Sequence, residues 1–271
     1  MSKKILPPRS SGHKDGTPLD AVKKRKSKVA ATADPVDEAM VDERLQLVND
    51  RQRGTIEEVS VAEAAITSLH GILLDFDPDR LLRSVAPLSL REDPKKFWMG
   101  VIQPWLERSP VLAKAKVVAS GRGLHVIVRM SPAVEFETEA DHQKWAAAVK
   151  VVQKLLPTDP DCPGITALTR PVGSINGKNG KKVRLFHKGE AVSPDDVLAL
   201  CKQAVTRPFA TVAGLLFGVT RITPCPVCEK EGSRLDVLDH VGMCYGGCGK
   251  VSLGRIFDLF LKPRAAKKGV K

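Results

Sequence analysis

Two cysteine pairs, Cys225-Pro-Val-Cys228 and Cys244-Tyr-Gly-Gly-Cys248, stand fifteen residues apart in a chain of 271 residues. Each pair forms a tight knuckle, and two such knuckles present four thiolates to one tetrahedral Zn²⁺. A site closed by four sulfurs leaves no open position for chemistry, so this ion shapes a surface and does not catalyse. Gly242, Gly246, Gly247 and Gly249 let the backbone fold closely around it. The spacing therefore predicts a zinc-ribbon module over residues 220–261. His240 is the alternative ligand within that span, read here as an exposed ribbon residue. Cys162 and Cys201 have no partners at such spacing and read as inert thiols. Ile256, Phe257, Leu259, Phe260 and Leu261 predict a short helix packed on the ribbon.

Upstream, Ile72-Leu-Leu-Asp75-Phe-Asp77 reads as a strand. Side chains alternate along a strand, so Leu74 and Phe76 enter a core while Asp75 and Asp77 share the opposite face. Two carboxylates held side by side on a rigid strand suit a metal, and Pro78 stops the strand just beyond them. Ser60-Val-Ala-Glu63 is a capping box for a preceding helix, with Gly71 as its stop. Asp93-Pro94 opens another helix that buries Phe97, Val101 and Trp105, and Pro104 is expected to kink or end it. Lys116–Ala119 and Leu124–Arg129 predict a hairpin around Ser120-Gly-Arg-Gly123. Leu124, Val126 and Val128 take one face, placing His125, Ile127 and Arg129 on the other. A His beside a glycine-freed turn can donate to a triphosphate, with Arg122 or Arg129 adding charge, although a lone strand His is usually structural.

Trp145, Val149, Val152 and Leu156 recur at helical spacing and predict an amphipathic helix against the sheet. A short strand follows at Lys182–His187, and Ser193-Pro194 caps a helix running to about Gln203. Strands and helices mix without regular alternation, so an α+β domain over residues 55–205 is expected. Between Ile165 and Gly189 there are six Lys or Arg residues and no acid. Solvated basic faces are common, but this run is interleaved with Gly173, Asn176, Gly177 and Gly180, which suit a loop closing over phosphates.

The net charge of +12 is concentrated at the ends. Residues 1–35, read as a disordered basic arm, hold nine Lys or Arg against three Asp, and the tail 262–271 holds five and no acid. Together the ends carry +11, which suits nucleic-acid phosphates, the alternative at this point being tails that are merely disordered and solubilising. No apolar run approaches the roughly 18–20 residues of a membrane helix, and the N-terminus lacks the apolar stretch of a secretion signal. A cytoplasmic protein with no membrane partner is expected, and six cysteines in that setting argue against a disulfide framework.

Taken in order, Leu74-Asp75-Phe76-Asp77, Ser120-Gly-Arg-Gly-Leu-His125, Asp159 and Arg170-x-x-Gly173-Ser174-x-Asn176-x-Lys178 resemble the motifs of the archaeo-eukaryotic primase (primase-polymerase) superfamily, in its phage and plasmid form. The resemblance covers residues 70–190. Pro171 stands one place earlier than the family's Pro, and Asp161 competes with Asp159 as the third acid. The resemblance implies a primase-type catalytic core, a mixed sheet with flanking helices, followed by the zinc ribbon. It implies nucleotidyl transfer through two Mg²⁺ or Mn²⁺ ions held by Asp75, Asp77 and Asp159. Three carboxylates suit that chemistry because the ions polarise the attacking 3′-hydroxyl and neutralise the triphosphate. His125 then binds the incoming nucleotide, with Arg122, Arg170 and Lys178 as further phosphate or template contacts. The expected partners are single-stranded DNA template, nucleoside triphosphates and a replicative helicase acting in trans, since no Gly-x-x-x-x-Gly-Lys-[Ser/Thr] occurs.

Two other readings compete. Bacterial-type primases and topoisomerases also use Asp-x-Asp, but they need a Glu on an earlier Gly-flanked strand, and Glu57, Glu58 and Glu63 lie in helical or loop context. A non-catalytic replication accessory or initiator protein could bind single strands through its tails and ribbon. With 4% aromatic residues and one Tyr, it would lack the stacking platforms of dedicated single-strand binders.

Overall fold

The computed structural model describes residues 66–263 apart from Leu168 and Lys178. The arm 1–35, the capping box at Ser60, Lys178 and all of the tail beyond Pro263 lie outside the described residues. Every described residue belongs to one compact unit. The architecture is α+β, with two four-stranded antiparallel sheets.

The larger sheet has the order β1-β3-β2-β4, from β1 (Ser68–Phe76), β2 (Lys116–Ala119), β3 (Leu124–Glu135) and β4 (Arg184–His187). The hairpin β2–β3 forms as its turn predicts, and it places β3 between β1 and β2. β1 and β2 run the same way but never touch as a pair. The mixed sheet expected from the resemblance is therefore corrected to one antiparallel throughout its named strands, with parallel pairing reduced to the isolated bridge Met130–Val192.

Gly71 is a second correction. It lies inside β1, not at a helix end, where a Cβ would come within 3.1 Å of the Val128 carbonyl. Its missing side chain lets β3 approach at the point where the register shifts between Leu69 and Gly71. From Gly71 onward the alternation holds. Ile72, Leu74 and Phe76 join Leu124, Val126 and Val128 in the main core. Leu73, Val118 and Ile127 face the other way and pack with Cys162, Ala167 and Val183 in a small second core. Both sheet faces are thus covered.

The main core is closed by helix α1 (Glu139–Gln153), whose Trp145, Val149 and Val152 are buried as its periodicity predicts. Helix α2 (Pro194–Thr206) starts at a complete capping box, Ser193 with Asp196. Helix α3 (Pro208–Phe217) is absent from the expectations, although Pro at its start and Gly218 in left-handed conformation at its end are standard boundary marks. The Asp93-Pro94 helix continues past Pro104 because a π turn at Trp98–Ile102 intervenes, with the Gln103 amide donating to the Trp98 carbonyl. That wider turn shifts the register just where the Pro lacks an N–H.

The smaller sheet, β5 (Arg221–Ile222), β6 (Leu235–Val237), β7 (Gly242–Cys244) and β8 (Gly249–Val251), is the ribbon. It is followed by helix α4 (Leu253–Phe257). The ribbon shares the main core: Cys225, Leu235, Val251, Ile256 and Phe260 all belong to it. Gly242 leaves room for the Phe209 ring of α3, so this glycine serves packing between modules and not the metal loop. Phe260 meets Trp105 edge-on at 5.6 Å and Phe217 at 5.8 Å. Among the described residues no helix is long and apolar enough to cross a membrane.

Candidate functional site

Asp75 is the penultimate residue of β1 and lies directly opposite His125 on β3. Asp77 follows the strand, and its carboxylate accepts the Asp79 amide at 2.8 Å, fixing the turn. The turn between β2 and β3 packs against this end of β1 because Gly123 has no side chain; a Cβ there would lie 2.8 Å from the Phe76 carbonyl. The third acid arrives from a distant segment. The Asp159 amide donates to the Asp75 carbonyl at 2.7 Å, so main-chain pairing sets Asp159 beside the strand pair.

Asp161, the competing acid, holds a different position. Its side chain is 62% exposed against 24% for Asp159. Its amide caps the Asp159 carboxylate at 3.1 Å. The Arg80 guanidinium faces both acids, at 3.4 Å from Asp159 and 3.0 Å from Asp161. No local sequence pattern points to Arg80, because its partners are about eighty residues away.

His125 is buried, with Nδ1 at 2.5 Å from the Thr169 hydroxyl and Nε2 at 4.0 Å from Asp75. Burial, and then the positive charge of Arg170, hold its imidazole down to about 4, so it is neutral near pH 7. Thr169 was missed by sequence reasoning, although it immediately precedes the Arg170 motif. Arg170 is half-buried on this side of the molecule, whereas Arg122 is exposed and lies 3.6 Å from Asp79. Arg129 turns away to the carbonyls of Lys188 and Gly189. Buried Asn176 ties the Arg170 loop to the hairpin by donating from its amide to the Ser120 carbonyl. Gly121, at φ +140°, gives way to Asn176 and Asn179 there.

The four cysteines form the second cluster. Their sulfurs lie within 4.8 Å of one another, and those of Cys228 and Cys244 are 3.8 Å apart. A tetrahedron with Zn–S bonds of about 2.3 Å has edges of about 3.8 Å, so the arrangement fits zinc. The four thiols share their protons unevenly: burial pushes Cys225 up and, with the neighbouring sulfurs, Cys248 up to about 12, whereas for Cys244 the amides of Gly246 and Cys248 outweigh burial and lower it to about 6. His240 is exposed and outside the cluster. Among the described residues the three carboxylates do not close into a comparably tight group. Their hard oxygen donors nevertheless suit Mg²⁺ or Mn²⁺. Cys162 and Cys201 are both buried, and burial pushes their thiols up to about 12 and about 11, consistent with inert residues.

No family model matches the chain, and no curated protein matches it. Among solved structures, the AEP domain of the cyanophage S-2L primase-polymerase (PrimPol) aligns with a TM-score of 0.35 and 18% identity. The alignment covers 51% of this chain and 63% of that one, so the match spans less than two thirds of the solved domain.

Proposed function

We propose that this protein is a primase-polymerase that makes short primers on single-stranded DNA by metal-dependent nucleotidyl transfer. The observation that carries the proposal is the convergence at the end of β1. Asp75 is bonded through its carbonyl to Asp159 and paired with His125, uniting three motifs that are 34 or more residues apart in sequence. Asp75, Asp77 and Asp159 would hold two Mg²⁺ or Mn²⁺ ions, which activate the 3′-hydroxyl and neutralise charge on the triphosphate. Asp159 is preferred to Asp161 because its main chain is fixed to β1 and its side chain is less exposed.

Neutral His125, held by Thr169, presents a hydrogen-bonding group and not a charge to the nucleotide phosphates. Arg170 and Arg122 supply positive charge around it, and Lys178, outside the described residues, is a further candidate for phosphate or template contact. The ribbon, with Cys225, Cys228, Cys244 and Cys248 on Zn²⁺, builds the surface beside the site. A helicase would unwind duplex in trans, and a phage or plasmid origin and a cytoplasmic setting accompany the same reading. The Arg80 contact with Asp159 favours a second reading, a non-catalytic replication accessory or initiator protein that binds single strands, because a guanidinium there offsets the charge a metal would need.

Primer synthesis on single-stranded template with labelled nucleotides and Mg²⁺ or Mn²⁺ tests the choice. Asp75→Ala is expected to lower product formation by about 10³-fold or more, corresponding to roughly 4 kcal/mol of transition-state stabilisation. Wild-type protein that makes no oligonucleotide with either metal would favour the accessory reading.

A further inference from the structure

The arm between Gly173 and Val183 folds back on itself. The Gly173 amide bonds to the Val183 carbonyl, the Val183 amide to the Ser174 carbonyl and the Asn176 amide to the Lys181 carbonyl, all at 2.8–2.9 Å. It leads directly into β4, the edge strand of the large sheet. Lys181, Lys182 and Arg184 are exposed along this edge, and none has an acidic partner among the described residues. Edge strands commonly carry a lysine to prevent pairing with other chains. That function needs one or two charges, and here the segment 165–189 holds six without an acid. Residues 66–261 carry +6 in all, so the six charges of this segment account for the whole excess and it stands out as a local positive field.

Position gives the field a direction. Arg184 pairs with Ala119, Ala119 with Leu124, and Leu124 with Phe76, the residue between Asp75 and Asp77. The basic edge and the acids thus lie at the same end of the sheet, three strand spacings apart, with Arg184 on the Phe76 face and Asp75 on the other. At about 4.8 Å per spacing that is roughly 14 Å. Exposed Ile175 lies opposite Lys182, and Leu185 follows Arg184, so apolar side chains flank the charges.

We propose that Lys181, Lys182 and Arg184 form a track for the phosphate backbone of single-stranded nucleic acid, at the end of the sheet that carries the acids. What lies at the end of this track rests on the nucleotidyl-transfer reading, but binding along it does not. The test is fluorescence anisotropy with a labelled 12-nucleotide oligothymidylate across a range of salt, without added metal or nucleotide. Removing three phosphate contacts in Lys181→Ala/Lys182→Ala/Arg184→Ala is expected to reduce the magnitude of the log Kd against log salt slope by about 2, at roughly 0.7 per contact on a single strand. The charge-keeping variant Lys181→Arg/Lys182→Arg/Arg184→Lys should retain the wild-type slope. An unchanged slope in the alanine variant, equal losses in both variants, or equal competition by polyglutamate would overturn the proposal. Wild type that binds DNA with the expected slope change but makes no primers would overturn the primase reading and leave the track intact.

Discussion

His125 is held between the Thr169 hydroxyl and Asp75 in a buried position, and its imidazole titrates near 4 where an exposed one titrates near 6.5. The unfolded chain therefore binds a proton in a window where the folded chain does not. Stability from this residue is complete above pH 6.5, falls as pH drops from 6.5 to 4, and changes little further below that. A shift of this size corresponds to roughly 3 kcal/mol. Urea unfolding of wild type at pH 7 and pH 4.5, compared with His125→Gln, should show a pH-dependent loss larger in wild type by about 2–3 kcal/mol. Equal losses in the two proteins would mean that this imidazole is not held neutral. The candidate His was legible in sequence because glycines mark the turn beside it. Thr169 and Arg80 were not, since a buried hydroxyl or a guanidinium acquires meaning only when a distant segment folds onto it.

The ribbon and the large sheet meet through aromatic side chains, and this makes the metal a matter of stability for both. Phe209 of α3 fills the space left by Gly242 in β7, while Phe260, beyond α4, packs on Trp105 and Phe217. The Leu82 amide bonds to the Phe260 carbonyl, and the Lys262 amide to that of Arg80, so the chain leaving the ribbon also braces the turn after Asp77. Stripping zinc should release these contacts. Loss of a buried Phe costs about 3–5 kcal/mol, and in a protein of this size each kcal/mol moves Tm by about 2–4 °C. Purified protein is expected to hold one Zn²⁺ per chain, and chelation should lower Tm by at least about 6 °C and speed hydrogen exchange in Pro208–Phe217. An unchanged Tm after complete removal would separate the metal from the core. The cysteine spacing made this module readable, as helical spacing of apolar residues did for α1, the Ser193-Pro194 cap for α2 and alternation for β1 and β3. Gly71 misled because the same residue that ends helices also admits a close strand, and the antiparallel order of the sheet depends on β3 inserting between β1 and β2, which no local pattern encodes.

Across the whole molecule, charge is separated by position: the span 36–261 is close to neutral, whereas residues 1–35 and 262–271 carry +11 of the total +12. Charge at the ends and charge on β4 should act differently on a nucleic acid. The β4 edge has a fixed distance from the acids, whereas Lys23-Lys24-Arg25-Lys26 offers four consecutive charges whose attraction to phosphates is independent of base identity. Replacing all four by Gln in the full chain is therefore expected to weaken template binding about equally for every sequence and to reduce the single-strand salt slope by up to about 3, at roughly 0.7 per contact. On the proposed primase reading, the maximal rate of primer synthesis at saturating template should stay within about twofold, since removing uniform binding changes the template concentration required and not the chemical step. The comparison needs both readouts, template titration at two salt concentrations and the rate at saturation. A slope unaffected by the four substitutions would mean that the arm does not contact phosphates, and a large fall in the saturated rate would mean that these residues take part in assembling the site.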